Sequence, residues 1–134
     1  MSQNKVRVLV ADDEPHVCGV IVSIVSALGG EVVAEARDGI EAVALFERLR
    51  PDVAILDINM PHMRGDEALP RILAIDPRAV VVMMTAQDTL DTVQDCLDRG
   101  AAHYILKANR AEEIYDLLAE FWPRCEALVH REAA

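Results

Sequence analysis

Short apolar runs alternate along the chain with longer stretches in which apolar residues recur every three or four positions. Four of these runs occupy positions 6–11, 53–56, 79–84 and 103–106. A short continuous run is typical of a buried parallel strand, whereas the longer recurrence is typical of an amphipathic helix. The pattern therefore predicts an α/β fold in which strands and helices alternate.

The helices are predicted from their apolar stripes and from the residues that begin or end them. A further strand, around Val32 and Val33, lies between the first two helices. The predicted helices run from about Pro15 to the Gly29-Gly30 pair, along Ile40, Val43, Phe46 and Leu49 to a point before Pro51, from about Asp66 to Ile75, from about Asp88 to Arg99, and from about Arg110 to Trp122. We expect Pro70 to bend the third helix or delay its first turns, and Pro123 to break the fifth.

Five strands alternating with five helices predict a doubly wound parallel sheet with helices on both faces. Right-handed crossovers favour the strand order 2-1-3-4-5 of flavodoxin-like folds. We expect this domain to cover residues 1–122, and residues 123–134 to form a C-terminal tail that is either an extra helix or the start of a linker.

Composition narrows the function classes. With a net charge of −10 at neutral pH, the chain is not expected to bind nucleic acid or an anionic membrane directly. It has neither an apolar run of membrane-spanning length nor a signal-peptide start, so we expect a cytoplasmic protein. Cys18, Cys96 and Cys125 lack the spacing of a metal site and are interpreted as reduced thiols.

Acidic residues stand where the predicted strands end. The first strand leads into Asp12, Asp13 and Glu14, and the third ends at Asp57; the fifth is followed by Lys107. The fourth strand contributes the hydroxyl of Thr85 at the same edge of the sheet, which is where open α/β sheets bind ligands. Crowded carboxylates repel one another unless a cation lies between them. The arrangement predicts a divalent metal and a reacting group that gains negative charge.

Each of these residues also has a purely structural interpretation. Asp13 or Glu14 could cap the first helix, and Asp57 could simply stabilise the turn that follows the third strand. Lys107 could be a solvated surface residue, and Thr85 could cap the helix after it. Because all of these coincidences would have to fall at one edge of one sheet, the joint functional interpretation is favoured.

The motifs at this edge resemble those of bacterial response-regulator receiver domains. They are, in order, Ala11-Asp12-Asp13-Glu14-Pro15; Leu56-Asp57-Ile58-Asn59-Met60-Pro61 with Gly65; Met84-Thr85-Ala86; and Gly100-Ala101-Ala102-His103-Tyr104-Ile105-Leu106-Lys107. The resemblance extends from about Val6 to Phe121. It implies a non-enzymatic switch of a two-component phosphorelay that assists its own phosphorylation and dephosphorylation.

The resemblance also implies roles for individual residues. Asp57 would accept the phosphoryl group as a covalent nucleophile, and Lys107 would pair with that group as a point charge. Asp12, Asp13 and Asp57, with the backbone carbonyl of Asn59, would hold Mg²⁺ or Mn²⁺, with Asp13 as a direct ligand and Asp12 acting through water. A few protein ligands suffice because Mg²⁺ keeps several waters among its roughly six oxygens.

Switching would follow from the added phosphate. Thr85 would move inward to donate its hydroxyl, and Tyr104 would rotate into the vacated space; the alternative is a half-buried strand tyrosine that does not move. The surface of the fourth helix, fifth strand and fifth helix would then meet an unidentified partner or a missing output domain. The phosphoryl group would come from a sensor histidine kinase or a phosphotransfer protein, and the domain would be a monomer or a weak dimer.

The sequence departs from the family at Ala108, which stands where a proline usually follows the lysine. A cis bond before alanine would cost about 3 kcal/mol, so we expect a trans bond or a rearranged loop. The alternatives are three other function classes: a docking module that works unphosphorylated, a haloacid-dehalogenase-type phosphatase and a flavodoxin-like cofactor binder. The phosphatase would need a second aspartate where Asn59 stands, and the cofactor binder would need a phosphate loop that is not acidic.

Overall fold

Strands and helices alternate along the whole computed structural model, which describes residues 5–86, 90–107 and 111–133. The prediction of alternation is confirmed. The elements are β1 (Arg7–Ala11), α1 (Pro15–Ala27), β2 (Glu31–Ala36), α2 (Gly39–Leu49), β3 (Val53–Asp57), α3 (Gly65–Ile75), β4 (Val80–Thr85), α4 (Leu90–Asp98), β5 (His103–Leu106) and α5 (Ala111–Ala133). The expected helix starts near Asp88 and Arg110, and the bond to Ala108, lie outside the described residues.

The five strands form one sheet in the order β2-β1-β3-β4-β5, and each neighbouring pair is parallel. The predicted doubly wound topology is confirmed. In the register of the central strands, Asp57 lies beside Met84 and Thr85 lies beside Leu106. The carboxyl ends of the strands therefore meet along one edge.

Two apolar layers cover the faces of this sheet. The layer that contains α1 and α5 takes alternate strand residues such as Ile55 and Val82, and the layer that contains α2, α3 and α4 takes residues such as Leu56 and Met83. Because side chains alternate along a strand, both faces are filled by continuous apolar runs. This double burial holds the strand ends, and the charged residues that follow them, on a rigid base.

Helix α3 contains Pro70 and still forms its first turns. It begins at Gly65, so the expectation that Pro70 delays its first turns is wrong. The alternative expectation, that Pro70 bends the helix, stays a prediction. The N–H of Arg64 donates to Glu67 Oε1 at 2.9 Å and fixes the helix start, while Ala68 and Leu69 anchor it in the core. A Cβ at Gly65 would collide with the carbonyl oxygen of Asp57, so only glycine lets α3 begin this close to the end of β3.

Helix α5 continues through Pro123 to Ala133, so the predicted break at Trp122-Pro123 is wrong. A proline inside a helix costs about 3 kcal/mol. Around it, Phe121, Trp122 and Cys125 are all buried, and each large apolar side chain contributes roughly 1.5–3 kcal/mol when it leaves water. Burial on both sides of the proline offsets its cost.

Ile40 of α2, expected on an apolar stripe, is instead 54% exposed, because Gly39 and Ala42 face the core.

Candidate functional site

The strand ends bring together the side chains that the sequence placed at this edge. Asp12 and Lys107 follow β1 and β5 directly, while Asp57 and Thr85 are the last residues of β3 and β4. Backbone bonds continue the sheet into these loops: the N–H of Asp12 donates to the Ala36 carbonyl at 3.0 Å, and that of Lys107 donates to the Thr85 carbonyl at 2.7 Å. Asp12, Asp57 and Thr85 are nevertheless almost fully buried, at 0%, 2% and 2% exposure.

Asp12, Asp13 and Asp57 form an acidic cluster in which one carboxylate oxygen from each lies within 4.8 Å of the others. Asp12 Oδ1 accepts the N–H of Glu14 at 2.8 Å, and Asp57 Oδ1 accepts the N–H of Asn59 at 3.3 Å. The buried Oδ2 of Asp12 accepts no hydrogen bond within the part of the chain that the structure describes. A buried acceptor without a donor is costly, and hard oxygen ligands of one sign suit Mg²⁺. The residues present therefore fit the predicted cation.

Lys107 is the cation that meets this cluster. Its Nζ lies 2.8 Å from Glu14 Oε1, 3.0 Å from Asp57 Oδ2 and 3.1 Å from Asp12 Oδ2. The contact with Asp12 has the distance of an ion pair but not the angle of a hydrogen bond, which is why Asp12 Oδ2 still lacks a donor. Only 10% of the lysine side chain is exposed, so the interpretation of Lys107 as a solvated surface residue is wrong.

Burial and like charge shift the titration of these acids. Burial, together with the nearby charge of Asp12, raises the pKa of Asp57 to about 6 and outweighs the hydrogen bond from Lys107. Burial also raises the pKa of Asp12. Burial alone would lower the pKa of Lys107, but its contacts with the carboxylates of Glu14, Asp57 and Asp12 outweigh that effect and raise it. The hydrogen bond from Lys107 lowers the pKa of the exposed Glu14.

Helix α1 begins without a side-chain cap. Glu14 is its N-cap residue and makes no capping hydrogen bond, and Pro15 opens the first turn. The interpretation of Glu14 as a capping side chain is therefore wrong. Asp57 does serve its turn through the bond from the Asn59 N–H, but it does so while facing Lys107.

Thr85 and Tyr104 share one face of the sheet. Tyr104 lies beside Met83 in the register of β4 and β5, and Thr85 follows two residues after Met83 on the same strand. Because side chains alternate along strands, all three point toward the layer that contains α4. Tyr104 is half-buried against that layer, a position compatible with both its expected switch role and the static alternative.

Two contacts of the site were not foreseen in the sequence. From the sequence, Glu14 is interpreted only as a possible cap of the first helix, yet its side chain binds Lys107, which lies 93 positions further along the chain. Arg64 Nη1 donates to Asn59 Oδ1 at 2.9 Å and so holds the side chain two residues after Asp57. The only available signal for Glu14 was its place directly after two aspartates, and no local pattern marks Arg64.

Residues 8–119 match the family model of the response regulator receiver domain. The chain belongs to this family. It is 39% identical over 112 residues to the chemotaxis protein CheY of Listeria monocytogenes, an alignment that covers 84% of this chain and 94% of that protein. It is 33% identical over 112 residues to CheY of Thermotoga maritima, covering 84% and 93%.

Solved structures agree with this membership. A chain in the crystal structure of the CheX–CheY–BeF₃–Mg²⁺ complex of Borrelia burgdorferi matches with a TM-score of 0.79 and 30% identity, covering 86% of this chain and 88% of that one. The response regulator domain of Thermotoga maritima CheB matches with a TM-score of 0.78 and 30% identity, covering 94% and 97%. This receiver domain is therefore a CheY-like domain of two-component signalling, as the motifs predicted.

None of the described helices of this receiver domain combines the length and the apolar character that a bilayer-spanning segment needs.

Proposed function

We propose that this receiver domain is a switch in which Asp57 accepts a phosphoryl group from a sensor histidine kinase or a phosphotransfer protein. One observation carries the proposal: the buried carboxylate of Asp57 lies 3.0 Å from Lys107 Nζ and within 4.8 Å of oxygens of Asp12 and Asp13. A nucleophile flanked by a fixed ammonium and a cation-binding cluster has what phosphoryl transfer requires, namely positioning and charge neutralisation.

The cation would be held by the carboxylates of Asp12, Asp13 and Asp57 and by the carbonyl of Asn59. Mg²⁺ or Mn²⁺ supplies neutralisation of the negative charge that develops on the phosphoryl oxygens. The unbonded Oδ2 of Asp12 supports this assignment, since a cation would satisfy an oxygen that no described donor reaches. The exposed Asp13 would serve as a direct ligand.

The remaining steps belong to the side chains of this chain. A carboxylate oxygen of Asp57 attacks phosphorus, the bond from phosphorus to the donor's imidazole nitrogen breaks, and that nitrogen keeps the electron pair. Lys107 stabilises the charge of the transferred group, and Thr85 donates its hydroxyl to a phosphoryl oxygen. The product is an acyl phosphate on Asp57 and a free donor histidine.

The response would travel from Thr85 to Tyr104, which lies on the same face of the sheet. Phosphate shifts a pre-existing equilibrium only by the difference in its affinity for the two states. The surface formed by α4, β5 and α5 would then change its fit to an output partner. A partner protein and an output domain on the same polypeptide are both compatible with this arrangement.

The test is to incubate the domain with a small phosphodonor and Mg²⁺ and to measure intact mass. We expect one added phosphoryl group on the wild type, none without the metal, and none on Asp57→Asn. The linkage should be cleaved by hydroxylamine, as acyl phosphates are. A stable ester on a hydroxyl side chain would contradict the proposal, and a wild type that takes no phosphoryl group would favour a docking module that works unphosphorylated.

A further inference from the structure

Among the three acids that contact the Lys107 ammonium, Glu14 lies nearest, although it is outside the acidic cluster. Its Oε1 accepts a hydrogen bond from Nζ at 2.8 Å, against 3.0 Å for Asp57 Oδ2 and 3.1 Å for Asp12 Oδ2. The Glu14 side chain is 59% exposed, whereas those of Asp57 and Asp12 are 2% and 0% exposed. The lysine therefore joins one solvated acid to two buried ones.

The ammonium of Lys107 is enclosed by acids in this arrangement. Nζ donates hydrogen bonds to Glu14 Oε1 and Asp57 Oδ2, and Asp12 Oδ2 lies at ion-pair distance, 3.1 Å away. A phosphoryl group on Asp57 turns that carboxylate into an acyl phosphate, and its three acceptor oxygens bring roughly −1.5 to −2 of charge to the ammonium. Of the two acids that remain beside Nζ, Asp12 is buried and would lose its partner, while Glu14 would return to water at small cost. Glu14 is thus the contact that gives way.

The start of helix α1 leaves the Glu14 side chain available for this contact. Glu14 occupies the N-cap position, but its side chain makes no capping bond, and glutamate is not among the residues favoured there. Its backbone is fixed separately, because its N–H donates to Asp12 Oδ1 at 2.8 Å. The side chain is therefore positioned by Lys107 and not by the helix.

We propose that Glu14 is a positioning residue that holds Lys107 in the unphosphorylated domain and competes with the phosphoryl group for its ammonium. The inference rests on the proposed function of Asp57. It requires both the negative charge of Glu14 and the length of its side chain. A shorter acid at this position keeps the charge but does not reach Nζ.

We call the contact between Glu14 Oε1 and Lys107 Nζ the latch. Two variants distinguish it from simple charge repulsion between Glu14 and the phosphoryl group. Glu14→Gln removes the charge and keeps the length, while Glu14→Asp keeps the charge and shortens the side chain. Glu47→Gln, an exposed acid on α2, is the control for net charge. The measurements are beryllofluoride affinity by calorimetry at saturating Mg²⁺, and hydrogen exchange of the Lys107 ammonium by NMR without metal or fluoride.

If Glu14 is a latch, both Glu14 variants should bind beryllofluoride more tightly than the wild type, by roughly two- to fivefold. Both should also show faster exchange of the Lys107 ammonium protons, since Glu14→Gln leaves only a weaker neutral acceptor and Glu14→Asp does not reach Nζ. Glu47→Gln should match the wild type in both measurements.

A Glu14→Asp variant that matches the wild type while Glu14→Gln binds more tightly would overturn the latch in favour of charge repulsion alone. Unchanged ammonium exchange in both variants would overturn it as well. Failure of the proposed function has a different signature: the wild type itself would bind no beryllofluoride, and the inference would fall with it.

Discussion

The two ends of the sheet carry charged residues in opposite arrangements. At the amino end, the N–H of Arg7 donates to Asp52 Oδ2 at 2.9 Å. The guanidinium of Arg7 donates to the carbonyls of Leu49 and Arg50 at 2.9 and 3.0 Å. These groups bind one another in a closed set, and they fasten the loop between α2 and β3 to β1.

At the carboxyl end the charged groups do not all satisfy one another. Three aspartates cluster within 4.8 Å, and Lys107 is the ammonium that reaches two of them, Asp12 and Asp57. One buried oxygen of Asp12 accepts no hydrogen bond among the described residues, and burial raises the pKa of Asp57 to about 6. Polar groups that satisfy one another stabilise a fold, whereas a surplus of one sign held on rigid strands is a binding site.

The largest effect should come from removing the cation at the carboxyl end. Lys107→Met leaves two buried carboxylates without a counter-charge, and breaking a buried pair costs about 3–5 kcal/mol. We expect this loss in urea unfolding of the metal-free protein at pH 7.5, and partial recovery in Mg²⁺. A loss below about 1 kcal/mol would show that the two buried carboxylates do not need Lys107 as their counter-charge, so that the carboxyl end would satisfy its own charges as the amino end does.

The pH dependence of stability should also separate the two ends. The folded pKa of Asp57, about 6, lies above its ordinary value of 3.8, so the folded state binds the extra proton between these values. The metal-free wild type should therefore lose stability as pH rises through this window, by about 3 kcal/mol from Asp57. Urea unfolding at pH 4.5 and 7 should show a smaller loss in Asp57→Asn. Equal losses in both proteins would contradict the burial of this carboxylate.

A substitution at the amino end should affect stability alone. Asp52→Asn weakens the bond to the Arg7 N–H and should lower the free energy of unfolding by about 1 kcal/mol. Mg²⁺ affinity and phosphorylation should match the wild type, as calorimetry and intact mass can check. An altered Mg²⁺ affinity would mean that the two ends are not independent.

The smallest effect concerns the response to phosphate. Thr85→Ala leaves Asp57 and the metal acids in place, so it should keep much of the phosphorylation and lose most of the conformational change. In amide NMR spectra, beryllofluoride should shift signals across residues 90–107 and 111–118 of the wild type but not of the variant, and signals around Arg7 should stay fixed. Wild-type shifts confined to the loops around Asp13, Asp57 and Lys107 would point to a passive phosphate carrier.

The strand ends could be predicted from the sequence because each apolar run stops at a polar residue. That rule places Asp12, Asp57, Thr85 and Lys107 at one edge, and the structure confirms their positions. The features that this rule did not predict depend on tertiary packing. Pro123 continues α5 because neighbouring side chains are buried, and the bond between Glu14 and Lys107 joins residues 93 positions apart. Local patterns carry no information on such distances.

The most direct test of the account is a crystal structure of the domain with Mg²⁺ and beryllofluoride. We predict that the beryllium bonds to an oxygen of Asp57, that the metal lies against Asp12 and Asp13, and that the ammonium of Lys107 contacts a fluorine with its contact to Glu14 broken. Ions bound elsewhere would contradict the assignment of the site. Beryllofluoride on Asp57 with Lys107 still bound to Glu14 would contradict the latch while leaving the phosphoryl site intact.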